Sequence, residues 1–251
     1  MGRLRELGSI YARIGRTYRS WAPSLLLLAA IVFLPLGLLD TLALHADVRT
    51  LDLSGSIELA AVVVGAVAIT VTALLGEVFY AGAVAVSLTH PEHGSAPPLR
   101  AIASRLKYGR LIAIDLIYGL IVTIGLLLLI GPGVAAYVWL GLAGPIVELE
   151  DRGVRAAFAR SCRLVRGRFW MVLAVLAPLE IAGDGIAGAV AGIVHAGLGH
   201  TFVATWLAES IANVIFTPFV AIAAVLLTID LIAEKDGEGP VLNPSPTPLP
   251  A

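Results

Sequence analysis

The chain has 251 residues, of which 58% are hydrophobic and only 14% are charged. Soluble domains average about 45–50% apolar and about 25% charged residues, so this composition excludes a soluble globular protein, a disordered chain and a disulfide-stapled secreted module. The formal net charge of −1 excludes a general nucleic-acid-binding surface, and the lone Cys162 cannot form an internal disulfide. The composition is typical of an integral membrane protein.

Residues 1–23 are predicted to form a basic amphipathic segment. Apolar and aromatic residues recur at every third or fourth position from Leu4 to Trp21, beside five arginines. This pattern is typical of a helix that lies in the membrane interface. A cleaved signal peptide is the alternative interpretation, but the leader is long and no Ala-x-Ala cleavage site lies near residue 45.

Six apolar segments predict a membrane domain over residues 24–234, since a membrane-spanning helix needs about 20 mostly apolar residues. The predicted spans are 24–44, 57–88, 111–130, 134–147, 170–198 and 202–233. The second would reach about 48 Å across a hydrocarbon core of about 30 Å, so we expect it to tilt, bend or protrude. Gly131-Pro132-Gly133 is expected to break the chain between the third and fourth spans.

The loop charges predict the orientation of these spans. All of the 17 Lys and Arg residues except Arg49 lie in the N-terminal segment, in alternate loops or after the sixth span. Basic residues in short loops favour the cytoplasm. We therefore expect an all-α protein with six transmembrane helices, both termini in the cytoplasm and basic amphipathic helices on the cytoplasmic side. Residues 235–251, which are rich in proline, are predicted to be a disordered tail.

Residues 154–169 are the most basic of these cytoplasmic segments. In a helix with about 100° per residue, an apolar face containing Val154, Phe158 and Val165 lies opposite an arginine face. We expect the apolar face to contact acyl chains and the arginines to bind anionic lipid head groups. The arginine face consists of Arg155, Arg160, Arg163 and Arg166. The alternative is that these arginines only set the topology and bind no ligand.

The stretch from Gly144 to Trp170 resembles a bacterial and archaeal membrane-protein family. It contains a proline and an apolar pair before an acidic turn, then Ala156-Ala157-Phe158-Ala159-Arg160-Ser161 and Arg163-Leu164-Val165-Arg166-Gly167-Arg168-Phe169-Trp170. The family includes the membrane domain of some glycerophosphoryl diester phosphodiesterases and many stand-alone proteins of unknown function. Phe158 departs from the leucine that is usual near this position. The resemblance implies six helices in a bacterial inner membrane, but no phosphodiesterase chemistry, which belongs to a separate soluble barrel.

Acidic side chains inside the predicted spans are the strongest candidates for a functional site. An acid at the centre of a membrane helix costs about 2.5–3.5 kcal/mol to insert, against about 0.3–0.6 kcal/mol gained per Leu or Ile. Such residues usually face the interior of the bundle and serve a function. The last two spans are expected to form a hairpin that brings two polar pairs opposite each other. The candidate residues are Glu180, Asp184, Glu209 and Asn213, together with Glu77 in the second span.

The remaining polar residues of the spans are expected to have structural roles. Asp115 and Asp230 lie near span ends, where they can pair with Arg110 and Lys235. Small residues at four-residue intervals, including Gly188 and Gly192, are expected to allow close approach of another helix.

No catalytic or cofactor motif is visible in the sequence. The segment His90-Pro91-Glu92-His93 has too few ligands, in an unsuitable loop, to predict a metal site. We expect no cofactor and favour a non-enzymatic membrane component that engages lipid head groups, a partner membrane protein or a second copy of the chain. The alternative is a transporter or permeation protein with an acid-lined site between helices five and six. In a third interpretation, the acids are protonated and only hold the helices together.

Overall fold

The computed structural model describes residues 2–45, 76–89 and 98–237. Within these ranges every regular element is a helix. The helices are α1 (Gly2–His45), α2 (Glu77–Thr89), α3 (Leu99–Arg105), α4 (Tyr108–Leu128), α5 (Ile130–Leu140), α6 (Ala143–Glu150), α7 (Val154–Val165), α8 (Phe169–Leu198) and α9 (Phe202–Asp236).

Five helical segments of the described chain are long and apolar enough to cross a membrane. They are Glu6–Leu39, Tyr108–Leu128, Ile130–Glu150, Phe169–Leu198 and Phe202–Asp236. Large apolar side chains such as Leu116, Leu120 and Leu127 are exposed along α4, as expected of a surface that faces lipid. The protein is therefore membrane-embedded. Of the predicted second span, residues 57–75 lie outside the described residues, so the sixth crossing stays a prediction.

The N-terminal segment and the first predicted span form one continuous helix of 44 residues. The interfacial position of the basic amphipathic segment, residues 1–23, stays a prediction. Ile10, Ile14, Trp21 and Leu25 are buried, since the apolar stripe of α1 packs against other helices of the bundle. The buried stripe continues past residue 23 with Leu28 and Phe33, at the spacing of one face of a helix.

Helices α1 and α9 lie antiparallel and side by side over most of their length. Near the start of α1, Arg13 Nη1 lies 2.7 Å from Asp230 Oδ2, and the ring of Tyr18 stacks on that of Phe219 at 3.9 Å between centroids. Towards the other end of α1, Trp206 Nε1 donates a 3.0 Å hydrogen bond to the carbonyl oxygen of Leu34. The expected partner of Asp230 was Lys235, which is instead bonded to the carbonyl oxygens of Arg163 and Arg166.

Helix α2 begins abruptly at Glu77. Gly76 has a φ of +97°, a value that glycine adopts without strain and other residues rarely do. The carboxylate of Asp115 on α4 accepts hydrogen bonds from the backbone N–H groups of Gly76, Val78 and Phe79, at 2.5, 3.0 and 3.4 Å. Asp115 is therefore a buried helix cap and not the partner of Arg110. Of the over-long predicted span 57–88, the described helix α2 covers residues 77–88.

The predicted fourth span consists of two short helices, α5 and α6, with Gly141 and Leu142 between them. The break before α5 falls at Leu129, two residues earlier than the predicted Gly131-Pro132-Gly133. These three residues lie instead in the first turn of α5. Proline is tolerated there because the first N–H groups of a helix have no intrahelical acceptor.

Helices α8 and α9 form the predicted hairpin around Gly199, and Thr201 Oγ1 accepts a hydrogen bond from the N–H of Ala204 at the start of α9. Among the described residues, the small-residue stripe does not make the close approach expected of it. No atom of another described helix lies within 4 Å of a Cβ built at Gly188 or Gly192. A Cβ at Gly183 would instead lie 2.5 Å from the ring of Phe216, so α8 approaches α9 one to two turns earlier.

Candidate intramembrane binding site

The five predicted polar residues line one cavity of about 550 Å³. Helices α2, α4, α5, α8 and α9 form its walls. Its polar and acidic lining residues are Glu77, Tyr137, Glu180, Asp184, Glu209, Asn213 and Thr217. The structure therefore brings together the two polar pairs of the α8–α9 hairpin, with Glu77 from a distant part of the chain.

Local structure determines how each acid reaches the cavity. Glu180 and Asp184 are four residues apart, so they lie one turn apart on the same face of α8. Glu209 and Asn213 have the same relation on α9. Glu77 is the first residue of α2, and its position follows from the turn at Gly76 that the Asp115 carboxylate holds in place.

Tyr137 is a cavity residue that the sequence reasoning missed. Its hydroxyl donates a 2.8 Å hydrogen bond to Glu180 Oε1, so it links α5 to α8. The ring of Tyr118 on α4 lies beside it, with 6.4 Å between the two centroids. A tyrosine hydroxyl inside an apolar span was the available signal, because a buried hydroxyl usually has a hydrogen-bond partner.

A small recess of about 30 Å³ continues from the main cavity. The two share Glu77, Tyr137, Glu180, Thr217 and Val220. The recess is also lined by Tyr118, Leu176 and Ala224, and therefore extends along α9 towards the helix end at Asp236. Tyr118 is the one polar side chain that the recess adds among the described residues. The recess lies towards the end of the bundle where α1 begins and α9 ends, which we call the basic end.

The chemistry of the cavity favours positively charged ligands. Four carboxyl groups line it, whereas none of the lining residues in the described part of the chain is Lys, Arg or His. Much of the remaining wall is apolar, with Val122, Leu126, Leu173 and Phe216 among its residues. Over the described ranges, no three His, Cys, Asp or Glu side chains are close enough together to hold a metal ion. The segment from His90 to His93 lies outside the described residues.

The second predicted site, the arginine face of residues 154–169, is only partly as expected. Arg155, Arg163 and Arg166 are exposed. Arg160 departs from the prediction, because it is only 8% exposed and pairs with Glu150 and Asp236. Burial alone would lower the pKa of Arg160, but the bonds and charges of the two carboxylates outweigh burial and raise this pKa.

The apolar side of α7 also differs from the prediction. Ala157, Ser161, Leu164 and Val165 are buried in the protein, and Ser161 Oγ donates a 2.6 Å hydrogen bond to the carbonyl oxygen of Trp139. Part of the predicted apolar face therefore packs against the bundle, whereas Val154 and Phe158 are half-buried. The helical wheel identified an apolar face, but a wheel does not distinguish burial in protein from burial in lipid.

Further ion pairs join the helices at the basic end. Asp151 lies 2.8 Å from both Lys107 and Arg110, and these two hydrogen bonds lower its pKa below the ordinary value. Arg168 pairs with Glu234 at 2.7 Å, which raises the pKa of the guanidinium. These contacts fix the ends of α4, α8 and α9 relative to the α6–α7 turn and one another.

No family model matches this chain, and no curated protein or solved structure is significantly similar to it.

Proposed function

We propose that the protein binds a cation in the acid-lined cavity and moves it across the membrane, as a transporter or permeation protein. The observation that supports this proposal is the grouping of Glu77, Glu180, Asp184 and Glu209 around one cavity. Carboxylates attract cations most strongly where little water screens them. Of the functions that the sequence left open, this one uses all of the candidate intramembrane residues.

The size of the cavity argues against a purely structural role for the acids. Protein interiors are packed at about 0.74–0.76 of their volume and leave few voids larger than a water molecule. The cavity of about 550 Å³ falls instead within the range of about 300–1,000 Å³ that is typical of small-molecule sites. Hydrogen bonds between helices, such as that of Tyr137 with Glu180, need no such space.

The start of α2 at the cavity also supports transport. Transporters often build their substrate sites from helix ends that lie within the membrane and supply polar groups. Glu77, the first residue of α2, lies at the cavity wall, and the Asp115 carboxylate accepts hydrogen bonds from the N–H groups of Gly76 and Val78 beside it.

The orientation and membrane follow from the charge distribution. We propose that the basic end faces the cytoplasm of a bacterium, because Arg and Lys favour that side of the inner membrane. The recess would then lie on the cytoplasmic side of the main cavity. We also propose that the chain belongs to the family that includes the glycerophosphoryl diester phosphodiesterase membrane domain, and that it binds a partner membrane protein or a second copy of itself.

Lipid binding at the basic end is a second proposed function. It is favoured by the exposure of Arg155, Arg163 and Arg166 on and just after α7. Guanidinium groups form bidentate hydrogen bonds with phosphates, and each basic residue near an anionic surface contributes about 1 kcal/mol to binding. Binding of anionic lipid to this surface is compatible with transport through the cavity. It would weaken as salt is raised.

Charge movement in reconstituted vesicles tests the transport proposal. The purified full chain is reconstituted and adsorbed on a solid-supported membrane, and currents are recorded after concentration jumps of H⁺, Na⁺, K⁺ and benzyltrimethylammonium. At least one cation is expected to give a saturable current that the double variant Glu180→Gln/Asp184→Asn loses. The exposed carboxyl of Glu6 lies outside the cavity, so Glu6→Gln is the matched control. Currents no larger than those of protein-free vesicles for every cation would contradict the proposal.

A further inference from the structure

The arrangement of the carboxyl groups argues against a bare metal ion as the ligand. Glu77 lies on α2, Glu180 and Asp184 lie on α8, and Glu209 lies on α9. Calcium requires six to eight oxygen ligands at about 2.3–2.6 Å from one point. The acids are instead spread over the wall, and no group of three among the described residues converges on such a point.

The rest of the wall is suited to an apolar molecular body. Val122 and Leu126 of α4, Leu173 of α8 and Phe216 of α9 line the cavity together with the acids. Small-molecule sites have volumes of about 300–1,000 Å³ and mostly apolar walls with a few polar groups. The cavity, at about 550 Å³, falls in this range and is far larger than an inorganic ion needs.

Phe216 adds an aromatic group close to the acids. Gly183, which lies between Glu180 and Asp184 on α8, leaves room for the Phe216 ring, since a Cβ at this position would lie 2.5 Å from the ring. An aromatic face attracts a cation within about 6 Å of the ring centroid, and more strongly when the site is desolvated. Carboxylate and aromatic groups therefore lie on the same part of the wall.

We infer that the ligand is an organic cation with an apolar body, of the amine or quaternary ammonium class. Its charged group lies near Glu180 and Asp184, and its body contacts Phe216 and the aliphatic wall. Tyr137 is a positioning residue that orients the Glu180 carboxyl through its hydrogen bond. This inference rests on the proposed function and specifies the substrate class of the same cavity.

Equilibrium binding to the purified full chain in detergent tests the substrate class. Tritiated tetraphenylphosphonium is the probe, and benzyltrimethylammonium, benzyl alcohol and Na⁺ are the competitors. We expect saturable binding that benzyltrimethylammonium displaces, whereas its neutral analogue benzyl alcohol and Na⁺ at tenfold higher concentration do not. Glu180→Gln/Asp184→Asn is expected to weaken binding at least tenfold, and Glu6→Gln is expected to leave it unchanged.

Two further variants separate loss of the site from loss of the fold. Asp184 is exposed, so Asp184→Asn alone is the less disruptive change and should still weaken binding several-fold. Phe216→Leu keeps every carboxyl group and should weaken binding about threefold or more, because the aromatic face is lost. Each variant is compared by circular dichroism and gel filtration before its affinity is measured.

The outcomes distinguish the substrate class from the transport proposal. Absence of saturable organic-cation binding, together with H⁺ or Na⁺ currents that disappear in Glu180→Gln/Asp184→Asn, would overturn the substrate class and leave the proposed function standing. Absence of both would overturn both. Equal displacement of the probe by benzyl alcohol would show a purely hydrophobic site and would also overturn the substrate class.

Discussion

The hydroxyl of Tyr137 donates a 2.8 Å hydrogen bond to Oε1 of Glu180, and this bond joins α5 to α8 at the wall of the cavity. It gives one of the four cavity carboxyl groups a fixed direction. The recess shares both residues with the main cavity, so the same bond lies where the two spaces meet.

Tyr137→Phe removes this hydrogen bond and preserves the ring. A net hydrogen bond contributes about 0.5–1.5 kcal/mol to stability, so we expect the free energy of unfolding to fall by about 1 kcal/mol. The measurement is an SDS titration in mixed micelles, followed by circular dichroism. Tyr118→Phe is the matched control, because the neighbouring ring lies 6.4 Å away and its hydroxyl is not bonded to Glu180. Equal losses in the two variants would contradict the assigned role of Tyr137.

Among the polar residues of α4, we expect substitution of Asp115 to lower the stability of the protein most. Asp115→Ala leaves the N–H groups at the start of α2 without their acceptor, and each unpaired buried polar group costs about 1–3 kcal/mol. Asp115→Asn keeps one acceptor oxygen and should be milder. Thr201→Ala removes a cap at the exposed α8–α9 turn and should cost about 1 kcal/mol. The same titration ranks the three, and a loss from Thr201→Ala as large as that from Asp115→Ala would refute the assignment of Asp115 as a buried cap.

Arg160 and Arg163 should respond differently to the same substitution, although both lie on α7. Arg160 is buried between Glu150 and Asp236. Removing one partner of a buried ion pair costs about 3–5 kcal/mol. We expect Arg160→Ala to lower the free energy of unfolding by no more than this amount, because Asp236 is partly exposed. Arg163 is exposed, and Arg163→Ala should change stability by less than about 0.5 kcal/mol. Arg163→Ala should instead reduce binding to anionic vesicles, measured by flotation. Equal stability of the two variants would contradict the burial of Arg160.

Gly144 and Gly188 provide a paired test of helix packing. A Cβ at Gly144 would lie 2.3 Å from the carbonyl oxygen of Val78, whereas one at Gly188 has no atom within 4 Å. Gly144→Ala forces α2 and α6 apart and should cost about 1–3 kcal/mol, as over-packed cores do. Gly188→Ala should be neutral or should stabilise α8 by up to about 1 kcal/mol, because alanine favours helix. Thermal unfolding in detergent measures both, and destabilisation by Gly188→Ala would contradict the open space found at this position.

Local patterns in the sequence predicted much of the cavity. The four-residue spacing of Glu180 and Asp184, and of Glu209 and Asn213, places each pair on one helix face. The short turn at Gly199 then brings the two helices together. Periodicity and turn residues determine both features, and both can be seen within a few residues of the chain.

Features that depend on distant residues were not predictable in this way. Arg160 pairs with Asp236, 76 residues away, and Asp115 caps a helix that begins 38 residues before it. A helical wheel places Arg160 opposite an apolar face but contains no information about the helix that packs there. Tyr137 was missed for the same reason, because its partner Glu180 lies 43 residues further along the chain.

Water access to the acids tests the central claim most directly. In a Cys162→Ser background, Asp184→Cys and Glu209→Cys are introduced singly and exposed to a membrane-impermeant maleimide in intact cells and in inverted vesicles. Arg163→Cys, at an exposed position, and Ala223→Cys, at a buried one, are the positive and negative controls. We predict labelling at both cavity positions from at least one side, and slower labelling when benzyltrimethylammonium is present. Protection of both positions from both sides, with full labelling after denaturation, would contradict an accessible cation site and would indicate that the acids are buried structural groups.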